Sequence, residues 1–178
     1  MKNFVAFSAL FAGALAQTPG YFGVISARSA SPVHLQTLQA RGTKFYLGGS
    51  SSSYCPPEVA DACPTGNDTV LAGGDVTLSL GVIVPGGQQI YVAADGTLSY
   101  TIPHSAYIPE GSVRDGWTKT EGENFGNLVF EGGLVACPTG TNDGYQVYGQ
   151  IPNVTLSSDC LGFDALTVNA TGPGAWEY

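Results

Sequence analysis

Hydrophobic and polar residues alternate most regularly in the middle of the chain. Between positions 76 and 84 every second residue is aliphatic: Val76, Leu78, Leu80, Val82 and Val84. Successive side chains of a β-strand point to opposite faces of the sheet, so this period of two predicts one strand with a single buried face. The sequence Pro85-Gly86-Gly87 follows directly and predicts a turn.

Two more strands are predicted after that turn. Residues 88–93 form the first, and residues 97–102, where the alternation returns, form the second. Between them lies Asp95-Gly96, a dipeptide typical of tight hairpins. The side chains of the second strand that are predicted to face the core are Leu98, Tyr100 and Ile102. Together the three segments predict an antiparallel meander.

Weaker patterns predict strands along the rest of the chain, at residues 21–26, 33–38, 44–47, 127–130, 134–136, 145–148 and 165–169. A short helical turn is predicted near Pro57–Ala60. Turn signals recur about every ten residues, the spacing typical of all-β domains. We therefore predict a single all-β domain over residues 17–178, an antiparallel β-barrel or β-sandwich with two disulfides.

The first sixteen residues have the features of a secretory signal peptide. Lys2 supplies a positive charge, residues 4–16 form an apolar run, and Ala14-Leu15-Ala16 matches a cleavage site. The run is too short to span a bilayer core of roughly 30 Å. We predict cleavage after Ala16 and a protein released outside the cell without a membrane anchor.

The chain has four cysteines, an even number that agrees with an oxidising compartment. Four cysteines allow three pairings. We predict the pairing of nearest neighbours, which joins Cys55 to Cys63 and Cys137 to Cys160. The spacing lacks the C-x-x-C pairs of a zinc site and the chain has two histidines, so neither a metal nor a cofactor is predicted.

Three N-glycosylation sequons lie beside residues that favour turns, where a glycan can reach solvent. The predicted glycosylation sites are Asn67, Asn153 and Asn169.

The composition excludes two classes of protein. Charged residues make up 11% of the chain and hydrophobic residues 43%, which argues against a disordered protein. Six lysines and arginines at a formal net charge of −8 cannot form the basic face that nucleic acids require. Because charged residues are scarce, groups able to perform catalysis are also scarce. The composition therefore favours a structural or recognition role, and we expect a monomer.

Candidate catalytic groups are correspondingly few. A serine nucleophile needs a neighbouring base, and the adjacent His104 and Ser105 would point apart on an extended chain. Glu121 and Glu123 are better placed, because carboxylates two residues apart on a strand share a face at a spacing that glycosidases use. The glycines around them are more typical of a solvated loop. A glycosidase is therefore the alternative, and the main prediction is a protein without enzymatic activity.

Proteins that bind polysaccharides commonly present aromatic side chains and hydrogen-bonding groups to the sugar rings. Trp117 follows a predicted turn, Trp176 lies near the end of the chain, and Tyr54 lies beside a serine run. Gln88 and Gln89 offer amides for hydrogen bonds to hydroxyl groups. These residues are the candidates for binding a cell-wall polysaccharide such as glucan or mannan. The alternative for Trp117 and Trp176, and the commoner position of a tryptophan, is that they cap the core at its ends.

Short motifs occur across most of the chain together with the four cysteines: Phe22-Gly-Val-Ile, Ser29-Ala-Ser-Pro-Val-His-Leu-Gln36, Phe45-Tyr-Leu-Gly-Gly49, Tyr54-Cys-Pro, Ala72-Gly-Gly-Asp75, Val84-Pro-Gly-Gly-Gln-Gln89, Gly116-Trp117 and Asp159-Cys-Leu-Gly-Phe163. In these segments the chain resembles the fungal PhiA-like cell-wall proteins, which are also called IgE-binding proteins and include elicitor-like secreted proteins. No catalytic residue of that family can be carried over to this chain.

This resemblance implies a secreted, glycosylated wall protein involved in asexual development, through the formation of phialides and conidia, and in wall integrity or stress protection. It also leaves an alternative open. In that alternative the protein is an elicitor or allergen that a host immune receptor or IgE recognises.

Overall fold

The computed structural model describes residues 20–141 and 144–178, and the predicted signal peptide lies outside these ranges. Within them the chain forms thirteen strands and a short 3-10 helix at Pro57–Ala62. The strands are β1 (Tyr21–Ala27), β2 (Leu38–Arg41), β3 (Lys44–Leu47), β4 (Leu71–Gly73), β5 (Asp75–Val76), β6 (Leu78–Leu80), β7 (Ile90–Val92), β8 (Leu98–Tyr100), β9 (Trp117–Thr120), β10 (Gly126–Phe130), β11 (Leu134–Pro138), β12 (Tyr145–Gly149) and β13 (Leu161–Ala170).

The strands form an antiparallel sheet that curls into a half-barrel. The ten-residue strand β13 pairs with β1 along one edge and with β10 and then β11 along the other. From β11 the sheet continues through β12, β3 and β8 to β7, and from β1 it continues through β4 to β6. A bridge between Ser79 and Gln89 brings β6 beside β7, so these two parts of the sheet meet around the core.

The inner face of the curled sheet encloses the hydrophobic core. In β1 the burial alternates strictly, with Phe22 and Val24 buried and their neighbours less so. Phe45 of β3 packs edge-on against Tyr100 of β8, with ring centroids 5.3 Å apart. Strands β1 and β10 alternate strictly between buried and less buried side chains, as a period of two predicts, whereas β7 and β8 are buried at every position.

Most of the predicted strands are confirmed, but two alternating runs are shorter than predicted. The run from residue 76 to 84 is not one strand, because Gly74 N–H donates to Thr77 O at 2.8 Å and closes a turn between β4 and β6. Val76 lies within that connection, in the two-residue strand β5 that pairs with β9, and it has φ 79° and is 63% exposed. Ile102, predicted to face inward, is 57% exposed because β8 ends at Tyr100.

The predicted strand at residues 33–38 is wrong over most of its length. Residues 29–35 form turns, and regular pairing of β2 begins only at Leu38. Val33 is nevertheless buried, and its carbonyl accepts a hydrogen bond from the Ser26 hydroxyl. Two strands, β4 and β9, were absent from the prediction.

Both predicted disulfides are present, with Cys55 joined to Cys63 and Cys137 joined to Cys160. The first closes a loop that contains the 3-10 helix, where a helical turn was predicted. The second links β11 to the residue just before β13. Within residues 20–141 and 144–178, no helix has the length and apolar character needed to pass through a membrane.

Two buried tyrosines give the fold a measurable response to high pH. Burial raises the pKa of both Tyr100 and Tyr178 from 10.0 to about 12. Because the folded-state pKa lies above the unfolded-state value, their contribution to stability is complete below about pH 10 and is lost as the pH rises towards 12. We expect a titration of tyrosinate absorbance on the native protein to show a late phase near pH 12 that disappears in urea. A single native phase near pH 10 would contradict this result.

Candidate functional site

The structure corrects the prediction that Trp117 binds sugar at the surface. Its side chain is 2% exposed. Trp117 is the first residue of β9, and its ring packs against that of Phe130 on β10 with centroids 4.9 Å apart. Its face is therefore covered by protein and cannot stack on a sugar ring.

Gln88 is also unavailable to a ligand, because it is 1% exposed. Its side-chain amide accepts a hydrogen bond from Tyr178 N–H at 2.8 Å and donates to Tyr178 O at 2.8 Å and to Thr101 O at 3.0 Å. The amide that was predicted to bind sugar holds the end of the chain instead. We call residues 175–178 the C-terminal segment.

The other three predicted binding residues divide between two places. Tyr54 is 56% exposed, and its N–H donates to Glu177 O at 2.9 Å. Trp176 is partly buried, and its carbonyl accepts from Val84 N–H at 3.0 Å, so both aromatic residues lie along the C-terminal segment. Gln89 is partly buried and lines a separate groove.

The candidate acids lie at the turn between β9 and β10. Glu121 and Glu123 are both exposed, and Glu121 forms an ion pair with Lys119. His34 and His104 are exposed on separate loops. Among the described residues, no group of three or more histidine, cysteine, aspartate or glutamate side chains is placed to hold a metal ion.

The three sequon asparagines, Asn67, Asn153 and Asn169, are all exposed. Their glycosylation stays a prediction, which solvent access at each position supports.

The outer face of the sheet carries an aromatic surface that the sequence did not reveal. Three tyrosines from different strands point away from the core on this side of the sheet: Tyr46 on β3 and Tyr148 on β12, which are partly buried, and Tyr91 on β7, which is covered by other residues and only 9% exposed. We call them the tyrosine face. Their neighbours along each strand are buried in the core, so the pleat of the sheet directs the tyrosines outwards.

The register of the sheet explains why these tyrosines share a face. Tyr46 lies opposite Gln146 on β12, and Tyr148 is bridged to Thr97. Tyr91 lies opposite Ser99, which itself pairs with Lys44 of β3. Residues directly opposite each other in a sheet point to the same side. The tyrosine face is therefore interleaved with hydroxyl, amide and ammonium groups.

A cleft of about 620 Å³ opens beside Tyr46, and we call it the tyrosine cleft. Its side chains come from three parts of the fold: Arg41, Tyr46, Ser52, Thr139, Thr141 and Gln146. The Arg41 guanidinium lies 3.9 Å from the centroid of the Tyr46 ring. Arg41 Nη1 also donates to the carbonyls of Gly48 and Ser50, each at 3.2 Å. These contacts fix both side chains before a ligand arrives, which lowers the entropy lost on binding.

The chemistry of the cleft suits an uncharged, polyhydroxylated ligand. It presents an aromatic ring, hydroxyl and amide groups, and a guanidinium, and the described residues that line it include no carboxylate. Deeper on the tyrosine face, burial raises the pKa of Tyr91 and of Tyr148. Both hydroxyls are protonated at neutral pH, as tyrosine hydroxyls ordinarily are, and can act as hydrogen-bond donors.

Sequence reasoning missed these residues although a signal was present. Tyr46 stands between the core residues Phe45 and Leu47, and Tyr91 stands between Ile90 and Val92. An aromatic residue at the polar position of a strand is predicted to face outwards. What the sequence lacks is the order of the strands, which places β3, β12 and β7 close together.

Comparison with known proteins finds a matching family and two relatives. The sequence profile of the family described as PhiA-like secreted protein matches residues 22–178. An uncharacterized secreted protein of Arthroderma benhamiae is 40% identical over 152 residues, covering 79% of this chain and 76% of the relative. Cell wall protein phiA of Emericella nidulans is 26% identical, covering 96% of this chain and 92% of the relative. No solved structure matches. PhiA-like proteins are not a known enzyme family. The chain is a secreted protein and belongs to the PhiA-like family.

Proposed function

We propose that the protein is a non-enzymatic cell-wall protein that binds neutral wall polysaccharide through the tyrosine face and the tyrosine cleft. The observation that carries this proposal is the convergence of tyrosines from three strands with hydroxyl and amide groups on one side of the sheet. The relative from Emericella nidulans is named a cell wall protein, which supports the compartment.

Stacking and hydrogen bonding both contribute to this mode of binding. Sugar rings have apolar C–H faces that pack on aromatic rings, while their hydroxyl groups need partners at the rim. Tyr46 and Tyr148 offer both an aromatic ring and a hydroxyl, and Gln146 lies between them on the strand face. Polysaccharides repeat the same ring many times, so modest contacts at several rings add up to firm retention on a wall.

The double variant Tyr46→Ala, Tyr148→Ala is expected to lose retention on insoluble wall polysaccharide. If each aromatic contact contributes about 1 kcal/mol, the affinity falls about 30-fold. The experiment is a pull-down of recombinant residues 17–178 with β-glucan, chitin and mannan particles, followed by an isotherm on the particle that retains the wild-type protein. Both substituted side chains point outwards, so the thermal unfolding curve should change little.

The matched control is Tyr54→Ala, which removes an exposed tyrosine that lies beside the C-terminal segment and should leave retention unchanged. If Tyr54→Ala lost retention and the double variant did not, binding would involve Tyr54, as predicted from the sequence, and not the tyrosine face. Wild-type protein that binds no particle above the level of albumin would refute the proposed function. Release of reducing sugar, abolished in Glu123→Gln, would support the glycosidase alternative.

We also propose that wall binding underlies a role in asexual development, as the resemblance to the family implies. A strain that lacks the gene should form fewer conidia. Complementation with the wild-type gene should restore their number, and complementation with the double tyrosine variant should not. If both genes restored the number of conidia equally, the role in development would not depend on the tyrosine face.

A further inference from the structure

A second polar groove lies at the far end of the β7–β8 hairpin. It has a volume of about 480 Å³ and is lined by Gln89, Thr101, His104 and Ser105 above the turn Gly86-Gly87. No atom lies within 4 Å of the positions that a side chain at Gly86 or Gly87 would begin to fill. The backbone floor of the groove is therefore open to a ligand. We call it the His104 groove.

The His104 groove lies on the same side of the sheet as the tyrosine face. Gln89 is two residues before Tyr91, and Thr101 is two residues after Ser99, so the pleat of the sheet places all four on one side. The hairpin pairing continues to this point, because Thr101 N–H donates to Gln89 O at 2.9 Å and Gln89 N–H donates to Thr101 Oγ1 at 3.0 Å.

The groove and the tyrosine cleft approach each other at the turn between β2 and β3. Gly42 of that turn lines the tyrosine cleft. The next residue, Thr43, accepts a hydrogen bond from Tyr100 N–H at 3.2 Å, and Tyr100 directly precedes Thr101 of the groove. No atom lies within 4 Å of the position that a side chain at Gly42 would begin to fill. The β2–β3 turn therefore lies next to both depressions, and the space beside Gly42 is open.

The charge of the two linings narrows the ligand class. The chain has 14 acidic and 6 basic residues, yet within residues 20–141 and 144–178 no carboxylate lines either depression. Both offer hydroxyl, amide and imidazole or guanidinium groups, which bind hydroxyl groups by hydrogen bonds. An anionic polymer would meet the repulsion of an acidic protein as a whole, whereas a neutral one would not.

We propose that the tyrosine cleft and the His104 groove are two subsites of one path that binds an extended, neutral polysaccharide chain over several consecutive sugar units. This inference rests on the proposed function and deepens it, because it specifies internal stretches of a long chain rather than a single sugar. The binding energy of the two subsites then adds up within one ligand, which raises affinity only for ligands long enough to reach both.

The test measures binding of short and long oligosaccharides by calorimetry, using laminaribiose and laminarihexaose, and mannobiose and mannohexaose. In whichever of the two series binds, glucan or mannan, the hexaose should bind at least about tenfold more tightly than the biose. Tyr46→Ala should weaken binding of both ligands. His104→Ala should weaken only the hexaose, by about three- to tenfold, and Gln89→Ala should do the same. The matched control is His34→Ala, an exposed histidine on another loop, which should change neither.

Equal affinity for biose and hexaose, or a hexaose affinity that His104→Ala and Gln89→Ala leave unchanged, would overturn the two-subsite path. If Tyr46→Ala still weakened binding in that case, the proposed function would stand. An absence of binding to all oligosaccharides and to the insoluble particles would refute both. Preferential binding of an acidic oligosaccharide, lost at high salt, would contradict the neutral ligand class.

Discussion

Replacing Trp117 by alanine is expected to lower the free energy of unfolding by about 3–5 kcal/mol, the usual cost of removing a buried aromatic side chain. The indole is almost fully enclosed, and its contact with Phe130 joins β9 to β10. Its Nε1 has no hydrogen-bond partner among the described residues, so the loss is one of packing and apolar burial. Equilibrium unfolding in urea, followed by far-ultraviolet circular dichroism, measures the change.

Two further variants separate this structural role from ligand binding. Trp117→Phe keeps much of the apolar volume and gives up no hydrogen bond, so it should lose less stability than Trp117→Ala and retain polysaccharide binding. Trp176→Ala, at a partly buried position, should lose less than Trp117→Ala as well. If Trp117→Phe stayed fully stable but no longer bound polysaccharide, Trp117 would be a binding residue after all.

Gln88→Leu is the second substitution with a large expected effect, about 2–4 kcal/mol of unfolding free energy. Leucine has nearly the same size but cannot bond to the N–H and C=O of Tyr178 or to the carbonyl of Thr101. Each buried polar group left without a partner costs about 1–3 kcal/mol, and water can reach part of the Tyr178 backbone and offset some of that cost. We expect a lower urea midpoint and faster proteolysis near residue 178.

The adjacent Gln89 provides the matched control for this experiment. Its side chain lines the His104 groove, and Gln89→Leu should change the unfolding free energy by about 0.5 kcal/mol or less, as is usual for surface positions. Equal destabilisation by Gln88→Leu and Gln89→Leu would mean that the buried amide does not hold the C-terminal segment.

The sequence allowed the strands and the disulfides to be predicted because both have local signals. The alternation at residues 44–47 predicts β3 with its bounds, and the nearest-neighbour pairing of cysteines is confirmed. The alternation of hydrophobic and polar residues predicts strands wrongly where a residue in the left-handed conformation turns the chain. Val76 at φ 79° lies in the separate short strand β5 and Leu35 at φ 58° lies in a turn, although both continue an alternating pattern.

The candidate site was harder to predict because it depends on contacts between distant parts of the chain. A tryptophan after a turn is predicted at the surface only when the strand that covers it is unknown, and β10 covers Trp117. Tyr46, Tyr91 and Tyr148 lie on one side of neighbouring strands because the strand order is β12, β3, β8, β7, which does not follow the chain. The alternation within a strand indicates which side of the sheet a residue faces. Which residues are its neighbours on that side depends on the order of the strands in the sheet.

The pairing of β1 with β13 has a consequence for the order of events during secretion. The first strand is joined to the last over seven positions, so β1 has no partner along this edge until almost the whole chain has been synthesised. Domains dominated by such distant pairings fold slowly. The predicted glycosylation sites Asn67 and Asn153 precede β13 in the sequence. Modifying enzymes and disulfide-forming enzymes thus meet an open chain, and closure of the half-barrel comes last.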